Sequence, residues 1–302
     1  MKFYKKKIVI IIDGTNYLYR AYFTFKKFKN KNGQPTGAIY GMLLMLRKIF
    51  YEYQPKKIII VFDHKKQTFR KKIYEKYKSN RVKIPEDLKN QIKKIIKIIK
   101  YMGITVLQIP GIEADDIIGT VAKNQSKIEK RILILTNDKD LTQLINSKIQ
   151  ILNHQNKIIT KKEVIKKFGI KPKLIKYLLA IAGDQSDNIP GIPGIGIKTA
   201  QKILKKFKSL KEIYKNLKKL SLLNIRNAKN LHKIFKKNKK IAFMSYNLSK
   251  IQLKIEPSLL KKKFKLKKPI IKKILNQFKK NDFTSLIKSF KKKNWFNENI
   301  PK

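Results

Sequence analysis

The sequence contains no cysteine, which excludes a disulfide framework and any thiolate metal site. Its histidines, His64, His154 and His232, stand far apart, so a histidine-built metal site is not expected either. Acids are scarce, with 19 Asp+Glu against 74 Lys+Arg and a formal net charge of +55. Arginine is rare within that excess. Only Arg20, Arg47, Arg70, Arg81, Arg131 and Arg226 occur, and the remaining cations are lysines. Glycine is absent after Gly196. No apolar run is long enough to cross a membrane. The basic start, Met1 to Lys7, precedes only Ile8 to Ile12 before Asp13, too short for a signal peptide. A cytoplasmic protein is the expectation.

What is present suffices for a packed chain. Apolar residues make up 42% of 302 positions, enough for two domains or one large one. The lysine excess has two readings. An AT-rich coding sequence would enrich Lys, Ile, Asn, Tyr and Phe together, while a basic surface would attract a polyanion. A membrane-surface role is weaker, because no single amphipathic segment stands out.

The scarce acids are not scattered. Gly111-Ile112-Glu113-Ala114-Asp115-Asp116 places three carboxylates between an apolar run, Ile104 to Ile109, and a helical pattern. One or two acids would suit the positive end of the helix dipole. Three impose repulsion that a proton or a cation must resolve. Other apolar runs end likewise. Lys7 to Ile12 ends at Asp13, Lys57 to Phe62 at Asp63, and Arg131 to Leu135 leads into Asp138 and Asp140. Continuous β-branched runs indicate strands buried on both faces, and helical patterns such as Ala38 to Tyr51 and Pro85 to Tyr101 fill the gaps. This alternation predicts a parallel α/β sheet, whose ligands lie at the strands' carboxyl ends. With Asp184 and Asp187, nine acids would meet at one edge. A single Asp after a strand is an ordinary turn former, so the set as a whole carries the inference of a site for hard cations.

Two further stretches concern polyanions. Thr68 to Arg81 has helical character and interleaves cations with Phe69, Tyr74 and Tyr77. It reads either as a solvated basic face or as a nucleic-acid contact, with Arg70 and Arg81 serving phosphates and aromatics such as Tyr77 stacking on unpaired bases. The segment Ile189 to Ala200 has a helix-hairpin-helix pattern. There Gly191, Gly194 and Gly196 would let backbone approach a phosphate, Ile192 and Ile195 would pin the hairpin, and Lys198 would follow at a helix start. Residues 141–182 read as mixed connecting structure ending in a helix, Lys173 to Ala182.

The motifs IIDGTNYLYRAY, PTGAIYGMLLMLR, VFDHKKQTFRKKIYEKYKSNR, GIEADDIIGTVA, LTNDKDLTQLI and GDQSDNIPGIPGIGIKTAQKIL, in that order, resemble the 5′-nuclease domain of bacterial DNA polymerase I, within the flap endonuclease family. They run from residue 7 to about 204. Asn137 stands where that family usually has Gly, and Phe23 where the bacterial enzymes often have His. The resemblance implies a PIN-like, mainly parallel twisted sheet flanked by helices over residues 1–180, with a helical arch at about 65–100. A helical helix-hairpin-helix domain over 181–290 and a tail over 291–302 would follow, in a free-standing nuclease.

By the same resemblance, Asp13, Asp63, Glu113 and Asp115 would hold one divalent ion, Mg²⁺ or Mn²⁺. Asp138, Asp140 and Asp187 would hold a second, with Asp116 and Asp184 in support. Lys78 and Arg81 would lie in the arch near the scissile phosphate and Arg20 on the phosphate path, while K⁺ would sit at the hairpin. The implied partners are DNA with 5′ flaps, nicks or free 5′ ends and RNA–DNA primer junctions, with a separate polymerase and ligase in the same pathway and a monomeric enzyme. Two other readings stay open: a related nuclease acting on RNA or branched DNA, and a non-catalytic nucleic-acid binder. The binder would have little use for nine acids, which oppose a polyanion.

Overall fold

The computed structural model describes residues 8–225, 227–260, 264–291 and 295. Arg226 and the tail beyond Trp295 lie outside the described residues.

Strand β1 (Ile8–Asp13) is buried at every position. It pairs in parallel with β2 (Lys57–Val61) on one side and β4 (Arg131–Leu135) on the other. Strand β3 (Thr105–Leu107) flanks β2, and β5 (Ile149–Leu152) flanks β4, both in parallel. The antiparallel β6 (Ile158–Ile159) closes the order β3-β2-β1-β4-β5-β6. The side-chain period of two divides each run between two cores. Ile8, Ile10 and Ile12 face one core, whereas Val9 and Ile11 face the other. Four strands match the apolar runs read from sequence. The last two, β5 and β6, were expected as connecting structure; they are too short to show a clear pattern.

The first face is covered by α1 (Gly14–Thr24), α2 (Gly37–Tyr53) and α4 (Glu86–Tyr101). The second is covered by α5 (Ala114–Ile128), α6 (Lys161–Phe168) and α7 (Ile175–Ala182), and then by the helices that follow. These are α8 (Ile197–Lys206), α9 (Leu210–Lys215), α10 (Ala228–Lys237) and α11 (Lys239–Ser249). Their apolar faces join one continuous core with α5 and the sheet.

The expected helical unit 181–290 is therefore divided in its packing. After residue 264 the chain crosses back to the first face. Leu266 N–H donates to the Lys56 carbonyl at 3.0 Å and Ile270 N–H to the Tyr101 carbonyl at 2.8 Å. Helices α12 (Ile271–Lys280) and α13 (Thr284–Lys291) bury Ile274, Phe278, Leu286 and Phe290 beside α2 and α4. Gly103 makes this return feasible. Its φ is 78°, and a Cβ there would lie 2.1 Å from the Lys267 carbonyl oxygen.

The expected helix over 68–81 is also shorter than its pattern suggests. Only α3 (Phe69–Ile73) forms, followed by turns over 75–80. Lys78 adopts φ 55°, a left-handed conformation that cannot continue a helix.

Candidate active site

Eight of the nine acids singled out in the sequence come together beyond the carboxyl ends of β1, β2, β3 and β4. Asp13 ends β1 and caps α1, its Oδ1 accepting from Asn16 N–H at 3.0 Å. Its Oδ2 accepts from the Thr136 hydroxyl at 2.9 Å. Burial pushes the Asp13 carboxyl up to about 7, against the pull of the Asn16 N–H and with a further push from Asp63. Asp63 lies on the open side and caps α5, accepting from Ala114 N–H at 2.9 Å. Asp115, in the first turn of α5, is raised well above the usual carboxylate range by burial and by Asp138, Asp13 and Asp63. Asp138 is raised by burial, with Asp187 adding to the push. Asp140 is raised by burial and by Asp138, Asp187 and Asp184. Each of these groups feels the others' charge, and the nearby charges of Lys78, Arg81 and Lys139 offset burial and repulsion only in part.

Two carboxylate oxygens show this directly. Asp140 Oδ1 and Asp184 Oδ2 are buried without a hydrogen-bond partner. The other Asp184 oxygen accepts from Lys139 Nζ at 2.7 Å and from the Ser186 hydroxyl at 2.7 Å.

Glu113 and Asp187 differ, because they hold cations already. Lys78 Nζ lies 2.8 Å from Glu113 Oε2 and 3.7 Å from Asp187 Oδ2. Arg81 Nη2 lies 2.5 Å from Asp187 Oδ1. Burial opposes the charge on Glu113, but Lys78 and Arg70 outweigh it and hold the carboxyl at about 2. Among the described residues, no three acidic or histidine side chains close around one point as a finished metal cage would.

The ninth acid stands apart, and with it one cation. Asp116 takes both guanidinium nitrogens of Arg70, at 2.7 and 2.8 Å, and also accepts from Gln252 N–H at 2.8 Å. Both oxygens are occupied, so Asp116 is a structural acid and not a cation ligand in waiting. Arg70 is 2% exposed and donates onward to the Leu248 and Lys250 carbonyls. Burial works against its charge, yet Asp116 and Glu113 hold it more firmly protonated than usual. The phosphate contact expected of Arg70 is thus corrected, because the side chain faces inward.

Tyr77 is corrected for the same reason. It is 4% exposed, and its hydroxyl donates to Glu113 at 3.2 Å and to Asp187 at 3.3 Å, leaving no ring face for a base. Three contributors escaped notice in the sequence: Thr68, which donates to Glu113 at 2.8 Å, Thr136 and Lys139. Thr136 alone carried a signal, since it stands between a buried strand and an acidic loop.

The hairpin lies beside the cluster. Ile192 and Ile195 are buried in the core that holds Ala200 and Ile203. Gly191 has φ 66°, and a Cβ there would meet Gly183 N at 2.2 Å, so tight packing explains this glycine without a ligand. Gly194 and Gly196 open onto free space at the start of α8, next to the exposed Lys198.

Arg20 is exposed on α1, and its Nη1 donates to the His154 carbonyl at 3.1 Å. It borders a cavity of about 320 Å³ with Tyr17 and His154. The His154 ring meets Tyr17 edge-on at 4.6 Å, and burial followed by the Arg20 charge lowers its pKa to about 4. A depressed histidine stabilises the fold above its ordinary 6.5, and that contribution is lost as pH falls through about 4. The His154 ring resonances should therefore show a midpoint near pH 4 by NMR. A midpoint near 6.5 would mean that the ring is solvated.

Two family descriptions match the chain: "5'-3' exonuclease, N-terminal resolvase-like domain" over residues 8–169 and "5'-3' exonuclease, C-terminal SAM fold" over residues 170–272. The 5′-3′ exonuclease of Buchnera aphidicola subsp. Baizongia pistaciae is 46% identical over 297 residues, covering 98% of each chain. DNA polymerase I of Pseudomonas aeruginosa is 34% identical over 250 residues, 82% of this chain and 27% of that one. The fold is similar to that of the bacteriophage T5 5′-exonuclease solved with zinc, with a TM-score of 0.65, 20% identity, and coverage of 82% of this chain and 90% of that one.

Family descriptions and relatives together define a nuclease, a hydrolase of the 5′-3′ exonuclease class. The chain belongs to the 5′-3′ exonuclease family.

Proposed function

We propose that this nuclease hydrolyses DNA, and RNA primers on DNA, near 5′ flaps, nicks and free 5′ ends with the help of two divalent cations, Mg²⁺ or Mn²⁺. The observation that carries this reading is the surplus of negative charge at the sheet edge, where five chain segments supply eight carboxylates and two buried oxygens lack partners. Only oxygen donors are on offer, which suits hard cations. Asp13, Asp63, Glu113 and Asp115 would hold one ion. Asp138, Asp140 and Asp187 would hold the other, with Asp184 beside them. Bound there, such cations supply an activated water and stabilise the leaving oxygen.

The chain's own residues do the positioning. Thr136 joins Asp13 to the Asp138 loop, donating to the first and accepting from Asp138 N–H at 3.0 Å. Lys78 and Arg81 bring positive charge to the place where a scissile phosphate would sit. The open backbone at Gly194 and Gly196, with Lys198, offers a duplex phosphate free N–H groups at the start of α8, which has no side-chain cap. A K⁺ ion there, Arg20 on the phosphate path, a separate polymerase and ligase, a monomeric state and a cytoplasmic setting complete the reading. Among the described residues, no helix is long and apolar enough to cross a membrane.

A labelled 5′-flap duplex tests it. Cleavage should require Mg²⁺ and leave a 5′-phosphate on the strand that stays in the duplex and a 3′-hydroxyl on the released flap, and undiminished cleavage in excess chelator sinks the two-cation reading. Affinity should also fall steeply with salt, by about 0.9 log units per log unit for each duplex phosphate contacted. A shallow slope would mean that the lysine excess faces away from DNA.

A further inference from the structure

Glu113 and Asp187 belong to different proposed cation sites, yet one short segment holds both. Lys78 Nζ bridges them at 2.8 and 3.7 Å, Arg81 adds its 2.5 Å pair to Asp187, and the Tyr77 hydroxyl reaches each. The backbone is held as well. Lys78 N–H donates to the Asp187 carbonyl at 2.9 Å, and Asn188 Nδ2 donates to the Lys76 carbonyl at 2.8 Å. Lys78 pays for this with φ 55°, a conformation that a lysine adopts only when its surroundings impose it. Of the remaining acids, Asp184 pairs with Lys139 at 2.7 Å, whereas Asp13, Asp63, Asp115, Asp138 and Asp140 have no lysine or arginine within ion-pair distance among the described residues.

We propose that Lys78 and Arg81 form a built-in counterion that occupies the site before divalent cations do, so that cation binding releases the arch segment and frees both side chains for substrate phosphate. This deepens the reading above and rests on it. A carboxylate cannot serve an ammonium and a divalent cation equally at close range. Each ion taken up at Glu113 or Asp187 must therefore weaken the lysine and arginine pairs, and by reciprocity those pairs must weaken cation binding. The device also supplies order. The positive arch side chains become available only once the site is loaded, so phosphate is drawn in last.

Calorimetry with Mn²⁺ alone, without DNA, and acetylation of lysines read by mass spectrometry test the proposal together. Lys78→Met and Arg81→Met should each tighten Mn²⁺ binding about fivefold or more, the lower end of ordinary coupling between sites. Lys76→Met, which removes an exposed arch cation, serves as the control for general repulsion and should change it far less. In the unaltered protein, saturating Mn²⁺ should speed acetylation of Lys78 several-fold relative to Lys76. If Mn²⁺ binds but Lys78 labelling does not rise, or the two variants behave like Lys76→Met, the counterion idea is overturned while the cation reading stands. If no saturable Mn²⁺ binding sensitive to Asp115→Asn is found, both fall.

Discussion

Asp115→Asn and Asp138→Asn should each lower turnover on a 5′-flap substrate about a thousandfold or more, equivalent to about 4 kcal/mol of transition-state stabilisation, while flap binding holds or tightens. Both residues sit where carboxylates crowd, and burial together with their neighbours pushes both above the usual carboxylate range. In the cation-free protein an amide therefore replaces a carboxyl that is already reluctant to ionise. Folding should not suffer, and removing a negative charge eases the approach of a phosphate. Chemistry should suffer because each change would take one carboxylate oxygen from the proposed cation ligands. Single-turnover cleavage and equilibrium flap binding, measured on the same variant, separate the two effects. Binding that falls in parallel with turnover would assign these acids to structure instead.

The second large effect is on stability. Arg70→Met should cost about 3–5 kcal/mol, because it leaves Asp116 buried without its bidentate partner. It also strips donors from the Leu248 and Lys250 carbonyls, which tie α11 and the chain after it to α3. For a chain of this size, thermal unfolding should come on the order of 10 °C earlier. The pair Arg70→Met with Asp116→Leu should melt above Arg70→Met alone, since no charge is then stranded. Turnover will drop too, as Arg70 Nη1 lies 3.5 Å from Glu113 Oε2. Flap affinity, measured well below the transition, should stay close to that of the unaltered protein. A variant that melted normally but bound flaps weakly would restore Arg70 to the DNA surface.

Arg70 also marks the boundary between what sequence and tertiary structure each decide. In sequence it is one cation among many in a basic stretch, alike in pattern to Arg81. In the fold it points inward to Asp116, while Arg81 stays half-exposed at Asp187. No local rule separates the two, because the difference lies in which element each faces, and that partner is distant in the chain.

The sheet and its carboxylate edge were legible for the opposite reason. Runs such as Ile8 to Ile12 are long enough to fix both strand and burial, and parallel strands send their carboxyl ends to one side. Hence Asp13, Asp63, Asp115 and Asp138 could be gathered from residues far apart. The hairpin glycines were legible as a turn, but only packing distinguishes Gly191, wedged against Gly183, from the open Gly194 and Gly196.

By itself, the sequence determined strand order of appearance, acid placement and the excess of positive charge, all of which follow from local pattern and composition. The tertiary structure alone decided that Lys78 and Arg81 rest on Glu113 and Asp187, that Asp116 is a structural acid, and that α12 and α13 return to the first face. Those outcomes depend on contacts between segments tens to hundreds of residues apart, where many lysines and many acids could have paired and only the packing selects which do.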